Sequence, residues 1–289
     1  MTYAKDYSTN ELMGVVVSRQ IRNDDVAFIG VGIPLIAGVV AVATHAPEAT
    51  LIYEAGGIGA RAKRIPFTIS DNPTTDNARA SMSMWRVMHD MQCGFVTLGV
   101  IGAAEVDRFG NLNSTVIIGA EGTYAHPKVR LPGSGGANDC ATSAGRTIIM
   151  MRLKKGKFVN RLQFITSPGH LTGPGAREKL GMRGKGPVAV ITEKCSFGFD
   201  EKTKEMCLET LYPGTTVEDV KGIVDWDLKV SSKLTEVEPP TEEQLRIMRA
   251  YDPMNFILGK KSTTGPEASF DDFYTKIRAA YQSIPLDLN

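Results

Sequence analysis

Leu51-Ile52-Tyr53-Glu54-Ala55-Gly56-Gly57 is the stretch whose reading decides the fold of this chain. A short apolar run, Ala49 to Tyr53, ends in one carboxylate, and two glycines follow at once. The run alternates poorly, which suits a strand buried on both faces of a parallel sheet. The glycine pair marks a sharp exit from that strand. Glu54 then stands at the carboxyl end of a strand, the edge at which open α/β sheets place their ligands. An acid there has three open roles: nucleophile, ribose ligand or solvated strand end.

The residues before this stretch give it a frame. Thr9-Asn10-Glu11 is a polar cap, followed by Leu12, Met13, Val16, Val17 and Ile21 at helical spacing. Val26 to Gly30 reads as a strand, and Gly30-Val31-Gly32-Ile33-Pro34 as a glycine loop with Pro34 placed for a first helical turn. A helix rich in Val and Ala runs from about Leu35 to Thr44. Together with the strand that leads to Glu54 this is a β-α-β unit, whose connection should be right-handed.

Beyond it, Gly57 to Asn77 reads as loop and the Met-rich segment Ala78 to Met91 as a helix whose methionines fill gaps in the core. Strands are expected at Phe95 to Ala104, Val116 to Gly119, Thr147 to Leu153, Pro187 to Ile191, Ser196 to Phe199 and Lys204 to Leu208. Asp107 to Asn113 has the composition of a hairpin turn. Pro132-Gly133-Ser134-Gly135-Gly136-Ala137-Asn138-Asp139 is a second glycine-rich loop before a helix-like stretch. Ser167-Pro168-Gly169 and Thr172-Gly173-Pro174-Gly175 form a third loop region, and Lys154 to Lys157 a solvated basic turn. Thr216 caps a helix at Val217 to Gly222, another lies near Gln244 to Tyr251, and the tail carries a helix from about Phe270 to Tyr281.

Bulk properties exclude whole classes. The chain has 289 residues, 42% hydrophobic and 22% charged, with a formal net charge of +1. That length buries a sizeable core without disulfides or metal, and that charge gives no electrostatic case for nucleic acid or a membrane surface. Cys93, Cys140, Cys195 and Cys207 show no CxxC and no framework spacing, the pattern of reduced thiols in a cytoplasmic protein. Met1 to Glu11 lacks an apolar signal core, and the longest apolar runs are broken by Gly and Pro, so no segment is expected to span a bilayer.

Several site chemistries fail on spacing. Gly30-x-Gly32 followed by an acid about twenty residues on is part of the dinucleotide pattern, but Leu35 stands where the third glycine belongs. His45, His89, His126 and His170 are far apart and match no metal-ligand spacing, so no metal is expected. No G-x-S-x-G occurs, and Cys140 has no neighbouring histidine in sequence. Arg61, Lys63 and Arg64 are either a solvated loop or an anion site for a carboxylate or phosphate. Glu54 as a nucleophile needs no base to activate it. It does need an acyl group held against it and donors for the developing oxyanion, which the backbone of a glycine loop such as Gly133 to Asn138 can supply.

One ordered set of motifs carries a family resemblance. It comprises Gly30-Val31-Gly32-Ile33-Pro34-Leu35-Ile36, Glu54-Ala55-Gly56, Asp107-Arg108-Phe109-Gly110-Asn111-Leu112-Asn113-Ser114-Thr115 and His126-Pro127-Lys128. It continues in Gly133-Ser134-Gly135-Gly136-Ala137-Asn138, Thr147 to Met151, Thr166-Ser167-Pro168-Gly169, Gly173-Pro174-Gly175-Ala176-Arg177-Glu178 and Phe199 to Lys204. From about Asn10 to Pro253 the chain resembles the β subunits of class I CoA-transferases, the glutaconate enzymes above all.

The resemblance implies an α/β fold, an open mostly parallel sheet flanked by helices. It places the nucleophilic glutamate on Glu54 and the oxyanion or CoA-binding loop on Gly135, Gly136 and Ala137. It also implies an α subunit as partner, with the active site at the interface and the other oxyanion donor on that chain. Acyl-CoA and a short, dicarboxylic acid are the implied substrates, with no resident cofactor. Residues 1–259 form the implied domain and 260–289 an extension. The chain departs from the family at Ala55, where Ser or Asn is common, and most strongly between Gly57 and Cys93. Some proteins of this fold hydrolyse or decarboxylate CoA esters with the glutamate replaced; its retention here favours transfer.

Overall fold

The computed structural model describes residues 2–62 and 64–259, and after them Asp271, Tyr274, Thr275, Arg278 and Ala279. Those last five are helical. The rest of the tail helix expected from about Phe270 to Tyr281, and Lys63, lie outside the described residues. The chain divides into two compact units, Met1–Val87 with Glu238–Asn289, and Met88–Val237.

The first unit opens with α1 (Thr9–Ser18). Its cap is Ser8, one residue before the expected polar cap: the Ser8 hydroxyl accepts from Glu11 N at 3.2 Å, and Ser8 N donates to Glu11 Oε2 at 2.7 Å. This reciprocal box satisfies two donors that the helix cannot pair internally. β1 (Val26–Ile29) follows, then α2 (Ile33–Ala43), which starts at Gly32 with φ 102° and takes Pro34 into its first turn as expected. Position 32 therefore demands glycine, because side chains rarely adopt that backbone. β2 (Thr50–Ile52) lies parallel to β1, with Val26 opposite Thr50 and Phe28 opposite Ile52. α2 is apolar around most of its surface, as a helix packed on several sides must be. Gly38 brings it close to Leu51 of β2.

The stretch expected to be loop and then helix is built differently. β3 (Gly57–Ile58) and β4 (Ala80–Ser81) pair antiparallel beyond β2, and a 3-10 turn occupies Asn72–Thr75. α3 (Met84–Gln92) starts only after β4 and runs on into the second unit. The backbone bonds from Met82 N to Gly56 O (3.0 Å) and from Arg79 N to Ile58 O (2.9 Å) claim the segment that the helical pattern suggested. Tertiary pairing thus overrides local propensity. Met91 is buried as a core filler, whereas Met84 and Trp85 are exposed, Trp85 by 69%.

In the second unit β5 (Leu98–Ile101) precedes a hairpin of β6 (Glu105–Val106) and β7 (Leu112–Asn113), then a second hairpin of β8 (Val116–Ile117) and β9 (Val129–Arg130). α4 (Ala137–Ser143) leads to β10 (Arg146–Met150), and α5 (Ala176–Lys179) to β11 (Pro187–Ile191). β12 (Cys195–Phe199), β13 (Met206–Leu211), α6 (Val217–Lys221) and β14 (Lys229–Glu236) complete it. Its main sheet runs β14-β13-β12-β11-β10-β5. β5, β10 and β11 are parallel neighbours, and β12 turns antiparallel on both sides. β14 escaped the sequence reading because its residues are exposed or half-buried throughout, so no apolar alternation marks it. Thr216 caps α6 with a full box to Asp219, as expected.

Buried polar groups hold the loops of this unit. The expected turn at 107–113 is real: Asp107 accepts from Phe109 N and Asn111 N, and Asn111 Oδ1 accepts from Gly169 N at 2.8 Å and Leu171 N at 3.0 Å. Arg177 is 4% exposed. Its guanidinium donates to the carbonyls of Gly184, Gly169, Ala141, Pro168 and Thr142 at 2.8–3.4 Å. Back in the first unit, α7 (Glu242–Tyr251), capped by Thr241 and Gln244, packs against α1 and α2. Arg249 on α7 binds Glu11 Oε1 at 2.7 Å. Among the described residues no helix is long and apolar enough to cross a membrane.

Two measurements test these contacts. Replacing Arg177 by Met keeps the side chain's length but removes the guanidinium donors from five carbonyls, of which Thr142 O keeps a bond from Gly184 N, so Arg177→Met should lower the stability of the fold by about 3 kcal/mol in urea unfolding. A loss under about 1 kcal/mol would contradict the role given to the guanidinium. His170 is buried, its ring Nε2 donates to Pro187 O at 2.9 Å, and burial pulls its pKa down to about 4. Near pH 6.5 and below, the unfolded chain binds a proton there that the folded chain refuses, so stability is lost as pH falls from about 6.5 toward 4, on the order of 2 kcal/mol. The urea midpoint of His170→Gln should fall less than that of the wild type between about pH 7 and about pH 4.5, and equal falls would refute the assignment.

Candidate functional site

Glu54 sits two residues past β2, at the start of a tight turn into β3. Gly56 N donates to Tyr53 O, and Tyr53 N to Gly57 O, both at 2.9 Å. The turn is wedged against neighbouring backbone. A Cβ on Gly56 would collide with the Met82 carbonyl, and one on Gly57 with the Thr74 carbonyl. Gly56 also has φ 120°. The glycine pair is therefore required by both conformation and space. Tyr53 is buried beneath the turn, and that burial raises its phenol pKa well above the ordinary value. Glu54 itself is half-buried at the carboxyl end of a parallel strand, where the sequence placed it.

Two of the three basic residues have partners in the fold. Arg61 is half-buried and donates to Pro47 O at 3.0 Å, at the opposite end of β2 from Glu54. Arg64 is half-buried, and its carbonyl accepts from the Tyr251 hydroxyl at 3.1 Å. Lys63 lies outside the described residues.

The glycine loop belongs to the second unit and is built on the hairpin strands there. Leu131 N donates to Thr115 O at 2.9 Å, and Gly133 N to Ser114 O at 2.8 Å. The chain then turns through Gly135, with φ 50°, and Gly136, with φ −76° and ψ −2°. Alternation of left- and right-handed backbone aims successive N–H groups to one side, the geometry of an anion nest. Ala137 N is used within the loop, on Ser134 O at 3.0 Å. Gly135 is exposed, Ala137 half-buried and Gly136 buried. Gly135 is thus the residue of the three whose backbone faces solvent.

The other reactive candidates have structural roles. Cys140 is fully buried against Gly99, and burial pushes its thiol up to about 12. His45 bonds the carbonyls of Ser18 and Ile21, and His170 that of Pro187. Among the described residues no group of His, Cys, Asp or Glu could hold a metal ion. Asn113, Thr166 and Arg177 stand inside the sequence motifs, yet the motifs assign them no work. The partners of Thr166 and Arg177 include backbone groups distant in sequence, which no local pattern reveals.

Comparison with known proteins gives this geometry a family. The family model described as Coenzyme A transferase matches residues 10–222. The β subunit of the 3-oxoadipate CoA-transferase of Pseudomonas knackmussii is 40% identical over 247 residues, 85% of this chain and 94% of that one. The β subunit of the glutaconate CoA-transferase of Acidaminococcus fermentans is 38% identical over 253 residues, 84% of this chain and 92% of that one. The crystal structure of glutaconate coenzyme A-transferase from the same organism superposes with a TM-score of 0.82 at 36% identity, over 90% of this chain and all of that one. A half-buried glutamate at a strand end, a glycine nest and these matches have one reading: the chain belongs to the Coenzyme A transferase family, as a β-type subunit of class I.

Proposed function

We propose that this chain is the β half of a two-chain CoA-transferase, that Glu54 is its nucleophile, and that its acceptor is a short dicarboxylic acid. The observation that carries the reading is the Glu54 turn. It presents a carboxylate at the ligand edge of parallel strands, on backbone fixed by two glycines. The substrate class is supported by the relatives, one acting on 3-oxoadipate and one on glutaconate by name, both dicarboxylic acids.

A Glu54 carboxylate oxygen attacks the thioester carbonyl; the C–S bond breaks, and CoA leaves as thiolate from an acyl-glutamyl anhydride. The thiolate then attacks the glutamyl carbonyl, and the first acid leaves as carboxylate, so that Glu54 carries CoA as a thioester. The incoming acid's carboxylate attacks that thioester, and the thiolate then takes the new acyl group, restoring Glu54. Each addition puts negative charge on a carbonyl oxygen, and donors preorganised for that charge accelerate the step. Gly135 to Ala137 supply one side of this donor set and the α chain the other. No electron changes hands, so the cycle requires no redox cofactor. Binding along the CoA arm acts at the reacting carbonyl by holding it in place. In this reading residues 1–259 carry the activity, 260–289 are an appended tail, and the enzyme works in the cytoplasm on the acyl-CoA pool.

Assayed with its α chain, Glu54→Ala should lose turnover by about 1,000-fold or more, as loss of a covalent nucleophile does. Full turnover in that variant would remove Glu54 from the chemistry. Without an acceptor acid, wild-type enzyme should release at most one equivalent of free acid per active site, as the enzyme–CoA thioester forms, and sustained release should need the acceptor. Sustained release without acceptor would mean hydrolysis instead of transfer.

A further inference from the structure

We propose that Thr166 is a positioning residue for the Gly135–Ala137 loop, a role that rests on the reading of that loop as oxyanion donor. Every residue involved lies within the second unit. Thr166 Oγ1 accepts from Ser114 N at 2.9 Å and lies 2.8 Å from Thr115 Oγ1. Its own N–H donates to Leu112 O at 2.8 Å, which pins it across β7. Ser114 and Thr115 are the two residues whose carbonyls receive Gly133 N and Leu131 N. One hydroxyl therefore touches both anchor residues of the segment that enters the glycine loop. Gly135 follows the second anchored residue, Gly133, by only two positions.

The side on which Ser114 and Thr115 rest is itself fixed. Asn113 is fully buried. Its Nδ2 donates to Glu105 Oε2 and to Val116 O, both at 2.7 Å, and its Oδ1 accepts from Thr115 N at 3.1 Å and Val116 N at 3.2 Å. A buried amide with both donors and its acceptor engaged has one orientation, and it holds the chain on either side of it. Asn113 thus sets the path of the strand. Thr166 then locks Ser114 at the point where Gly133 hangs from it. The Thr166 hydroxyl also lies 3.5 Å from Asn113 Oδ1, so it reaches the residue that sets the strand as well.

Loss of the hydroxyl leaves Ser114 N unpaired and frees its peptide to rotate, which shifts Gly133 and the nest beyond it. A donor displaced by a fraction of an ångström still binds substrate but loses its alignment with the oxyanion. The expected signature is a fall in kcat with KM unchanged.

The test uses the complete enzyme with its α chain and compares wild type, Thr166→Val, Thr166→Ser and Glu54→Ala. Thr166→Val should lower kcat about 10- to 100-fold with KM for acyl-CoA altered less than about threefold. Thr166→Ser, which restores the hydroxyl, should return kcat to within about threefold of wild type. A fall in thermal midpoint with kcat intact, or a rise in KM alone, would overturn the proposal, as would equal activity of the Val and Ser variants. If Thr166→Val fails to assemble, Thr166→Ala against Thr166→Ser decides in the same way, since both lose the methyl and only Ala loses the hydroxyl. Should Glu54→Ala keep full turnover, the underlying reading of the site fails; should it be dead while Thr166→Val is fully active, only the positioning role fails.

Discussion

The presentation of Glu54 depends on two missing Cβ atoms. Gly56 and Gly57 let the turn after β2 lie directly on the carbonyls of Met82 and Thr74. Those contacts draw the 72–82 segment in as a 3-10 turn and β4, which completes the sheet on that side. The carboxylate therefore projects from backbone packed against two neighbouring carbonyls and not from a free loop. Catalysis by a preorganised group needs such rigidity, because alignment gained before binding is not lost again in the transition state.

The second unit reaches the same end by a different means. Its loops are long and lack regular structure, and buried polar side chains take the place of a ladder. Arg177 gathers five carbonyls from three chain segments, Asn111 and Asp107 hold the 169–171 corner, and Asn113 sets the strand beneath the glycine loop. Each of these groups is costly to bury alone and stabilising once satisfied. Loops held in this way keep one conformation, and a nest of backbone donors is useful only if it does.

Much of this was legible in the sequence where the signal is local. The β-α-β unit, Glu54 at a strand end, Pro34 in a first helical turn and the Thr216 cap each follow from residues within a few positions of one another. The β3–β4 pairing was not legible, because strands of two residues carry no period and are specified by the backbone they touch. β14 was missed for the opposite reason, a strand without an apolar face. The Arg61 guanidinium donates to Pro47 O, a partner before β2 that its place in the basic run after Glu54 does not reveal. Arg177 and Thr166 stood in recognised motifs, but much of their work is done on backbone groups far along the chain, visible only once it is folded.

In the proposed cycle the carboxylate of Glu54 becomes covalently bonded to CoA, and every later step depends on that bond. Peptide mass spectrometry of the assembled enzyme, incubated with acyl-CoA and no acceptor, tests it most directly. The peptide containing Glu54 should gain the mass of CoA less one water, and should lose it again when a dicarboxylic acid is added. Turnover without that adduct, or an adduct on any other residue, would contradict the assignment of Glu54 as nucleophile.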